Sequence, residues 1–417
     1  MATNGNNTRD AADTEERRIV VSRSGRPMAT DVSVLIAAYP DQVDEANEAA
    51  DACMTWFDEV DARLSRFRPE SELSQLNRSG GAWFEASPVL YGAVEAAIHA
   101  ASASDGLFDP TLLPQLEALG YDRDFALIAR RDIATDIDGG AQIARGGPTE
   151  AARPRPAWTP PAQAWRAVEL DPDGLRIRLP EGARLDLGGI AKGWAADLAF
   201  TTCCEPFPGA LVNVGGDLRA SGGPQAHEAW SVGMRSPRAE AGAPEPGAPE
   251  WAATIRLSRG ALATSGAARR WWRDGGAIRH HLLDPRTGLP LPIWTGADVG
   301  AASAPDGRPS RVIAMVTALA PTAERAEVAA KLALLRGYPQ AARAVEAAWE
   351  RYGAIGPDDD LDAGVALIVT FSDGAIELSA NARVWLATWG TADARVPVLV
   401  SPAGVEALPP LPNQEEE

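Results

Sequence analysis

Two lysines stand out in a chain that otherwise uses arginine for its positive charge. Of the 39 Lys and Arg residues, only Lys192 and Lys331 are lysines, and lysine differs from arginine in offering a compact, mobile ammonium. Lys192 follows the glycine pair Gly188-Gly189, where the apolar residues on either side predict a strand-to-helix junction. Glycine permits a close backbone approach, and a helix start offers free N–H groups to an anion. The segment 186–197 is therefore a candidate phosphate site, with an ordinary helix start and a surface lysine as the alternative.

Two further stretches place polar groups at predicted strand ends. Asn213-Val-Gly-Gly-Asp217 is typical of a strand that breaks at a glycine pair, and Thr264-Ser265-Gly266 offers two hydroxyls. Neither glycine pair matches the P-loop or the dinucleotide-binding fingerprint, and no G-x-S-x-G motif surrounds Ser265. Each glycine pair taken singly is more simply a tight strand exit, whereas two of them in one chain favour phosphate binding.

The adjacent pair His280-His281 is a candidate for proton transfer, because the chain has only four histidines and two of them are neighbours. Histidine exchanges a proton near neutral pH. Neighbouring residues on a strand point to opposite faces, so one ring is expected to face a site while the other packs. The same alternation disfavours a metal held by both rings. Two exposed polar residues at a turn are the alternative.

Glu327 and Lys331 lie four residues apart on a predicted helix that Thr322 caps. Such a pair most simply forms a solvated i,i+4 ion pair, worth about 0.2–0.5 kcal/mol. From the residues alone, the pair is therefore predicted to lie at the surface.

The composition excludes several classes of partner. The 417 residues are 45% hydrophobic and 23% charged, as in a globular protein, and the formal net charge of −18 argues against binding to nucleic acid or to an anionic membrane surface. The three cysteines show neither a disulfide framework nor metal-ligand spacing. The N-terminal residues are polar, and the longest apolar runs fall far short of the roughly 20 residues that cross a bilayer. We therefore expect no membrane insertion and a cytoplasmic location.

Strand and helix patterns mix along the chain without strict alternation, which predicts an α+β fold rather than a doubly wound parallel sheet. A strand is predicted at 31–39, a helix with one apolar stripe after Asp41, and a further helix with a serine cap and a first-turn proline at Ser87-Pro88. The predicted organisation is a disordered arm (1–27), one domain (28–390) with Pro/Gly-rich loop insertions near 144–163, 236–250 and 291–310, and a C-terminal tail (391–417).

Taken together and in order, seven motifs resemble the FAD:protein FMN transferase family, the ApbE-type flavin transferases. The motifs are Met28-Ala-Thr30, Phe67–Asn77, Gly106–Thr111, Asp186–Asp197, Asn213–Asp217, Thr264–Gly266 and His281–Gly288. The resemblance implies an ApbE-like (T-fold-like) arrangement of mixed sheets with flanking helices, with an FAD site in a cleft between them.

The resemblance also implies an activity: magnesium-dependent transfer of the FMN half of FAD onto a Ser or Thr of a partner flavoprotein, with release of AMP. His281 would be the catalytic base with Asp284 nearby, and Lys192 with the glycine turns would hold the pyrophosphate. The implied cofactor-binding residues are Met28, Phe67, Leu107, Phe108, Asp109, Asp186, Gly188, Gly189, Lys192, Asn213, Gly215, Asp217, Ser265 and His281.

One departure from the family concerns the metal. The family holds magnesium with an Asp and, four residues later, a Thr on the helix after the buried strand, together with a main-chain carbonyl of the glycine motif, here Ala191. This chain has Glu327 and Lys331 at the two helix positions. Glutamate can still ligate, but its longer side chain shifts the oxygen, and a charged lysine cannot ligate. The hypothesis from the sequence is that the Lys331 ammonium partly replaces the cation.

The altered metal position leaves two alternative functions open beside FMN transfer. One is an FAD-binding or carrier protein with weakened catalysis. The other is a hydrolase that converts FAD into FMN and AMP with water in place of the acceptor hydroxyl.

Overall fold

The structure, a computed structural model, describes residues 17–128, 163–242, 251–274, 277–295, 312–336, 365–372 and 374–379. Most of the three predicted insertions and the whole of the predicted tail 391–417 lie outside the described residues. None of the described helices is long and apolar enough to cross a membrane.

The helices and strands of the described residues have the following bounds. The strands are β1 (Ile19–Gly25), β2 (Val32–Ala38), β3 (Phe84–Glu85), β4 (Glu169–Asp171), β5 (Arg176–Arg178), β6 (Gly209–Val214), β7 (Asp217–Ser221), β8 (Trp230–Arg235), β9 (Trp251–Leu257), β10 (Arg259–Gly266), β11 (Trp271–Asp274), β12 (Ala277–His280), β13 (Leu283–Asp284), β14 (Leu289–Pro290), β15 (Ile313–Ala320), β16 (Ala366–Phe371) and β17 (Ile376–Leu378). The helices are α1 (Val43–Leu64), α2 (Glu72–Leu76), α3 (Pro88–Ala103), α4 (Leu113–Ala118), α5 (Ala191–Ala199), α6 (Pro237–Glu240) and α7 (Ala323–Arg336). A π-helical turn (Phe200–Cys204) follows α5, and 3₁₀ turns lie at Pro27–Ala29, Pro40–Gln42 and Ala164–Ala167.

An eight-stranded antiparallel sheet forms the centre of the fold. Its strand order is β1-β2-β6-β7-β10-β15-β16-β17, and every neighbouring pair is antiparallel. The smaller sheets are β3-β5-β4, β8-β9, β11-β12 and β13-β14. The predicted α+β fold with several sheets and flanking helices is confirmed.

Both faces of the central sheet are covered, and β2 shows how. Val34 and Ile36 belong to the core beneath the helices α1, α3, α5 and α7. Leu35 and Ala37 face the other way, into a second core that the β8-β9 hairpin closes. Because side chains alternate along a strand, a strand that is covered on both faces is buried throughout, as the pattern of β2 is.

The long helix α1 follows the predicted apolar stripe. Ala50, Cys53 and Phe57 are among its buried residues and pack into the main core. At α3, the Ser87 hydroxyl accepts a hydrogen bond from the N–H of Leu90 (3.2 Å), and Pro88 occupies the first turn, as predicted.

Two predictions about local structure are wrong. Residues 19–25, predicted to belong to a disordered arm, form strand β1, because each of them pairs in register with a residue of β2 and Val21 is buried against the core. The segment before the Gly188-Gly189 pair, predicted as a strand, is not part of a sheet. The side-chain amide of Asn77 takes the place of a partner strand there, accepting from the N–H of Leu185 (2.7 Å) and donating to its carbonyl (2.9 Å).

Candidate active site

A cavity of about 1120 Å³ opens between the helices and the ends of the central strands. Most of the residues that the sequence analysis selected line it: Met28, Phe67, Leu107, Phe108, Asp109, Asp186, Gly188, Gly189, Ala191, Lys192, Gly215, Ser265, His281, Glu327 and Lys331. These residues come from eight separate segments between positions 28 and 331. Their convergence makes this cavity the candidate active site.

The turn before α5 is fixed by Asp186. One carboxylate oxygen of Asp186 accepts from the N–H of Gly188 (2.6 Å), and the other lies 2.8 Å from Nε of Arg66. The N–H of Asp186 donates to the carbonyl of Pro110 (2.8 Å). These contacts tie the glycine turn to two other segments of the cavity wall.

Gly189 lies where only glycine fits without adjustment. A Cβ atom on it would lie 3.0 Å from the Phe108 ring and 3.5 Å from Cε of Lys331. Because glycine has no Cβ, the turn can lie directly against α7, the helix that carries Lys331.

Four charged side chains meet beside that turn. Lys192 pairs with Asp217, and its Nζ lies 3.4 Å from Oε1 of Glu327. Nζ of Lys331 lies 3.1 Å from the same oxygen, while Oε2 of Glu327 accepts from the N–H of Gly193 (2.8 Å). The i,i+4 pair of α7 thus forms as predicted but is not solvated, since Glu327 is only 1% exposed.

Burial and opposite charge compete in setting the protonation of these groups. The pKa of Lys192 is lowered to about 8: burial is the largest cause, the charges of Lys331 and Arg270 act in the same direction, and Glu327 opposes them. Burial also lowers the pKa of Lys331, again against Glu327. For Glu327, burial raises the pKa, but the two ammoniums and the Gly193 N–H outweigh it and hold the pKa below its ordinary value.

The helices α5 and α7 are locked together around this cluster. The carboxylate of Asp197 accepts from the N–H groups of Ala323 and Glu324, both at 2.9 Å, and so caps α7 from outside the helix. A Cβ on Gly193 would lie 2.5 Å from the Ala323 carbonyl oxygen. Asp197, the last residue of the segment 186–197, therefore positions α7, the helix that carries Glu327.

His281 lines the cavity just after the end of β12, whereas His280 is buried and its Nε2 lies 2.9 Å from the carbonyl of Leu291. This division agrees with the predicted alternation. Nδ1 of His281 lies 3.4 Å from the carbonyl oxygen of Arg270. Because a carbonyl only accepts, this contact favours the tautomer with the proton on Nδ1 and leaves Nε2 as a proton acceptor.

The environment of His281 favours its neutral form. Burial is the largest cause that holds its pKa well below the ordinary 6.5, and the nearby Arg270 charge adds to the effect. A neutral ring at physiological pH is the form that can take up a proton.

Three predicted site residues do not lie in the cavity wall, as far as the described residues define it. Both carboxylate oxygens of Asp284 accept hydrogen bonds from Arg286 (2.7 and 2.9 Å), and the His281 ring contacts the Arg270 carbonyl instead. Asn213 accepts from the N–H of Gly216 (2.8 Å) and shapes the β6-β7 turn. Asp217 acts behind the wall, where it holds Lys192.

An aromatic pair forms another part of the cavity wall. Phe67 packs against Tyr121 with 5.7 Å between ring centroids. The guanidinium carbon of Arg66 lies 4.1 Å from the centroid of Phe67 and 4.5 Å from that of Tyr121. The rings gain a cation–π contact while Arg66 remains paired with Asp186.

The loop 107–109 completes the wall. The carboxylate of Asp109 accepts from the N–H (2.8 Å) and the hydroxyl (2.5 Å) of Thr111, and burial raises its pKa against these two bonds. Met28 also lines the cavity, and its backbone is left-handed with φ 57°. A non-glycine residue in this conformation is strained, which is common at ligand sites.

Sequence reasoning did not identify Arg66, Tyr121 or Arg270 as residues of the cavity wall. Arg66 directly precedes the selected Phe67, and that adjacency is the only sequence signal for it. Arg270 lies in the run Ala-Ala-Arg-Arg with no motif around it. The contact that matters, between Arg270 and His281, joins residues eleven positions apart.

Comparison with known proteins gives a consistent result. The family model described as "ApbE family" matches residues 28–355. A protein of Chlamydia trachomatis named FAD:protein FMN transferase is 26% identical over 257 residues, which cover 61% of this chain and 69% of that protein. A protein of the same name from Treponema pallidum is 29% identical over 263 residues, covering 59% of this chain and 64% of that protein.

Solved structures share the fold. The ApbE protein of Thermotoga maritima superposes with a TM-score of 0.63 at 22% identity, covering 88% of this chain and 99% of that one. The apo flavinyl transferase ApbE of Pseudomonas stutzeri gives 0.59 at 19% identity, covering 90% and 98%. At these identities the likeness concerns the fold.

Proposed function

Because the chain belongs to the ApbE family, we propose that it transfers the FMN half of FAD to a Ser or Thr hydroxyl of an acceptor flavoprotein and releases AMP. The observation that carries the proposal is the convergence of a neutral histidine, two ammoniums and a glycine turn in one cavity. The cytoplasmic location and the single domain spanning 28–390 stay predictions.

FAD joins FMN to AMP through a diphosphate, so transfer is an attack of the acceptor oxygen on the phosphorus of the FMN half. The P–O bond toward AMP breaks, the new P–O bond forms to the acceptor, and the hydroxyl proton must leave. Nε2 of His281 is proposed to take that proton, since Nδ1 is directed at the Arg270 carbonyl. Asp284 has no place in this step, because Arg286 holds its carboxylate.

Binding of the diphosphate is assigned to groups beside the glycine turn. Lys192 and Lys331 line the cavity there, together with Gly188 and Gly189. Ammonium groups and backbone N–H groups together neutralise and orient phosphate oxygens. The aromatic pair of Phe67 and Tyr121 offers ring faces for the planar part of the ligand.

Magnesium, which the family resemblance implies, does not fit the residues at the predicted position. Magnesium is bound by oxygen ligands at about 2.0–2.1 Å in a near-ideal octahedron. Here Glu327 already accepts from Gly193 and lies between two ammoniums, and Lys331 stands where the family supplies a hydroxyl. Among the described residues, no three His, Cys, Asp or Glu side chains form a group suited to a metal. No step of the proposed reaction therefore passes through a metal.

The engaged state of Glu327 favours one alternative, an FAD-binding or carrier protein with weakened catalysis. Incubating the purified chain with FAD, with and without a candidate acceptor, separates the functions. AMP release that requires the acceptor, together with a flavin-fluorescent acceptor band on a denaturing gel, supports transfer. AMP release without the acceptor supports hydrolysis, and retention of intact FAD supports the carrier.

Substitution of the proposed base sharpens this test. We expect His281→Ala to lower the transfer rate by roughly 10²- to 10⁴-fold, the usual contribution of a general base, while FAD affinity stays close to that of the parent chain. His99→Ala is the matched control, because His99 is exposed on α3 and outside the cavity wall. An unchanged transfer rate in His281→Ala would remove His281 from the mechanism.

A further inference from the structure

The lysine–carboxylate cluster is a closed set of charges at the cavity wall, formed by Lys192, Glu327 and Lys331 in the wall and Asp217 behind it. Lys192 touches both carboxylates, and Lys331 touches Glu327. Two ammoniums face two carboxylates, so the formal charges of the cluster sum to zero. A site that holds a divalent cation normally has the opposite character, with carboxylates in excess.

The oxygens that a metal would need are already engaged. Oε2 of Glu327 accepts from the N–H of Gly193, and Oε1 lies between the two ammoniums. Oδ2 of Asp217 pairs with Lys192, and Oδ1 lies 3.3 Å from the N–H of Thr264. A divalent cation would have to displace an ammonium or lie directly beside two of them in a buried position.

Lys331 is held in place from two sides. Its Nζ lies 3.2 Å from the main-chain carbonyl of Glu327 and 3.1 Å from its carboxylate, and its stem packs against Gly189. An ammonium has three N–H donors, and these two bonds leave one for a ligand in the cavity. Lys192, bonded to Asp217 and close to Glu327, also lines the cavity.

We infer that Lys331 is a resident cation for the dinucleotide substrate: together with Lys192 it binds the FAD diphosphate directly, and the site takes up no divalent metal. The inference rests on the proposed function for the identity of the ligand. The part of the inference that concerns metal binding is independent of FAD, because it states only that the lysine–carboxylate cluster binds no divalent cation. Replacing Lys331 with a neutral residue leaves a net charge of −1 on the remaining three groups, and the cluster then attracts a cation.

The first experiment measures metal binding without FAD. Mn²⁺, a paramagnetic ion with the same preference for oxygen ligands as Mg²⁺, is titrated into the full chain and free Mn²⁺ is followed by electron paramagnetic resonance. We expect no stoichiometric site in the parent chain and one new site in Lys331→Thr, which supplies a hydroxyl. Arg336→Thr is the matched control, because Arg336 is exposed in the last turn of the same helix; it should resemble the parent chain. A stoichiometric Mn²⁺ site in the parent chain overturns the inference.

The second experiment measures FAD affinity by quenching of flavin fluorescence, in Mg²⁺ and in EDTA. The parent chain and Lys331→Arg, which keeps the charge, should change by less than about twofold between the two buffers. Lys331→Thr should bind FAD about tenfold or more weakly in EDTA and recover in Mg²⁺. If the parent chain itself loses about tenfold on chelation, the inference is wrong.

The two experiments separate the inference from the proposed function. If FAD does not bind in either buffer while Lys331→Thr gains the Mn²⁺ site, the proposed function and the assignment of FAD as the ligand of Lys331 both fail, whereas the inference that Lys331 excludes a divalent metal stands. If Lys331→Thr is folded by circular dichroism but gains no Mn²⁺ site, the position is not equivalent to a metal site and the inference fails.

Discussion

The ion pair between Arg66 and Asp186 offers a sharp test of how the cavity wall is held. The two side chains are 7% and 16% exposed, with 2.8 Å between Nε and Oδ2. Asp186 also accepts from the N–H of Gly188, and Nη1 of Arg66 donates to the carbonyl of Tyr121 (2.9 Å). We predict that Asp186→Asn destabilises the protein substantially, although the two side chains have the same number of non-hydrogen atoms, because the substitution leaves a buried guanidinium without its counter-charge.

The magnitude follows from the burial of the pair. Removing one partner of a buried ion pair costs about 3–5 kcal/mol. The Asn side chain keeps an oxygen for the Gly188 N–H, so the lower end, about 3 kcal/mol, is expected for Asp186→Asn. Arg66→Met should lower the stability by a similar amount, because it leaves the carboxylate of Asp186 buried without its counter-charge. The double variant leaves no unpaired charge, so its loss of about 3 kcal/mol should fall well below the sum of the two single losses.

Urea unfolding of the four proteins in this double-mutant cycle measures the coupling. We expect a coupling energy of about 2–3 kcal/mol. The matched control is the surface pair Arg23–Asp51, which has a shorter contact of 2.6 Å but side chains that are 32% and 63% exposed. Asp51→Asn should shift the urea midpoint far less than Asp186→Asn does, because solvent screens an exposed ion pair. Additivity within about 0.5 kcal/mol for Arg66 and Asp186 would refute the reasoning, since the pair would then contribute no more than independent residues do.

Three further predictions concern single sites. Burial and the Arg270 charge hold the pKa of His281 well below 6.5, so the ring stays neutral and able to accept a proton as the pH falls from neutral through 6.5. The transfer rate should therefore decline only at more acid pH. A pH–rate profile with its midpoint at or above 6.5 would contradict this. Arg270→Met removes a positive charge from the cavity wall, so it should weaken FAD binding by about tenfold, measured by fluorescence titration, and move the acid decline of the transfer rate toward neutral pH. Gly193→Ala places a Cβ 2.5 Å from the Ala323 carbonyl oxygen and should lower the free energy of unfolding in urea by about 1–3 kcal/mol, whereas an unchanged value would mean that α5 and α7 separate freely.

Elements with a strong local signal were predictable from the sequence. The apolar stripe of α1 recurs at helical spacing, and Cys53 and Phe57 on it are fully buried. The β6-β7 turn follows from Gly215-Gly216, because both residues have positive φ (65° and 98°), which glycine adopts without strain. In each case the information lies within a few residues of the element it determines.

Pairings between distant segments were not predictable in this way. Arg66 acquires its role from Asp186, 120 positions away in the chain, and no pattern around either residue indicates the other. Asp284 is the opposite case, because the family resemblance implies that it acts beside His281, whereas the structure pairs its carboxylate with Arg286. Arg286 lies closer to Asp284 in the chain than His281 does, and the Asp284 carboxylate bonds its main-chain N–H (2.9 Å) within the turn.

The pair Glu327–Lys331 shows why burial decides the meaning of a sequence pattern. Four-residue spacing predicts an ion pair equally well on a wet or a dry face of a helix, and periodicity alone placed this pair in solvent. The rarity of lysine in the sequence indicates that this pair is not an ordinary surface pair. In a chain that otherwise uses arginine, the two lysines lie 139 positions apart, and both approach one oxygen of Glu327. A guanidinium is planar and larger, whereas an ammonium is a compact charge that fits beside Gly189 and still contacts the carboxylate. The need for a compact cation at two points of one site therefore accounts for both lysines together, whereas solvent-exposed charges would have no such requirement.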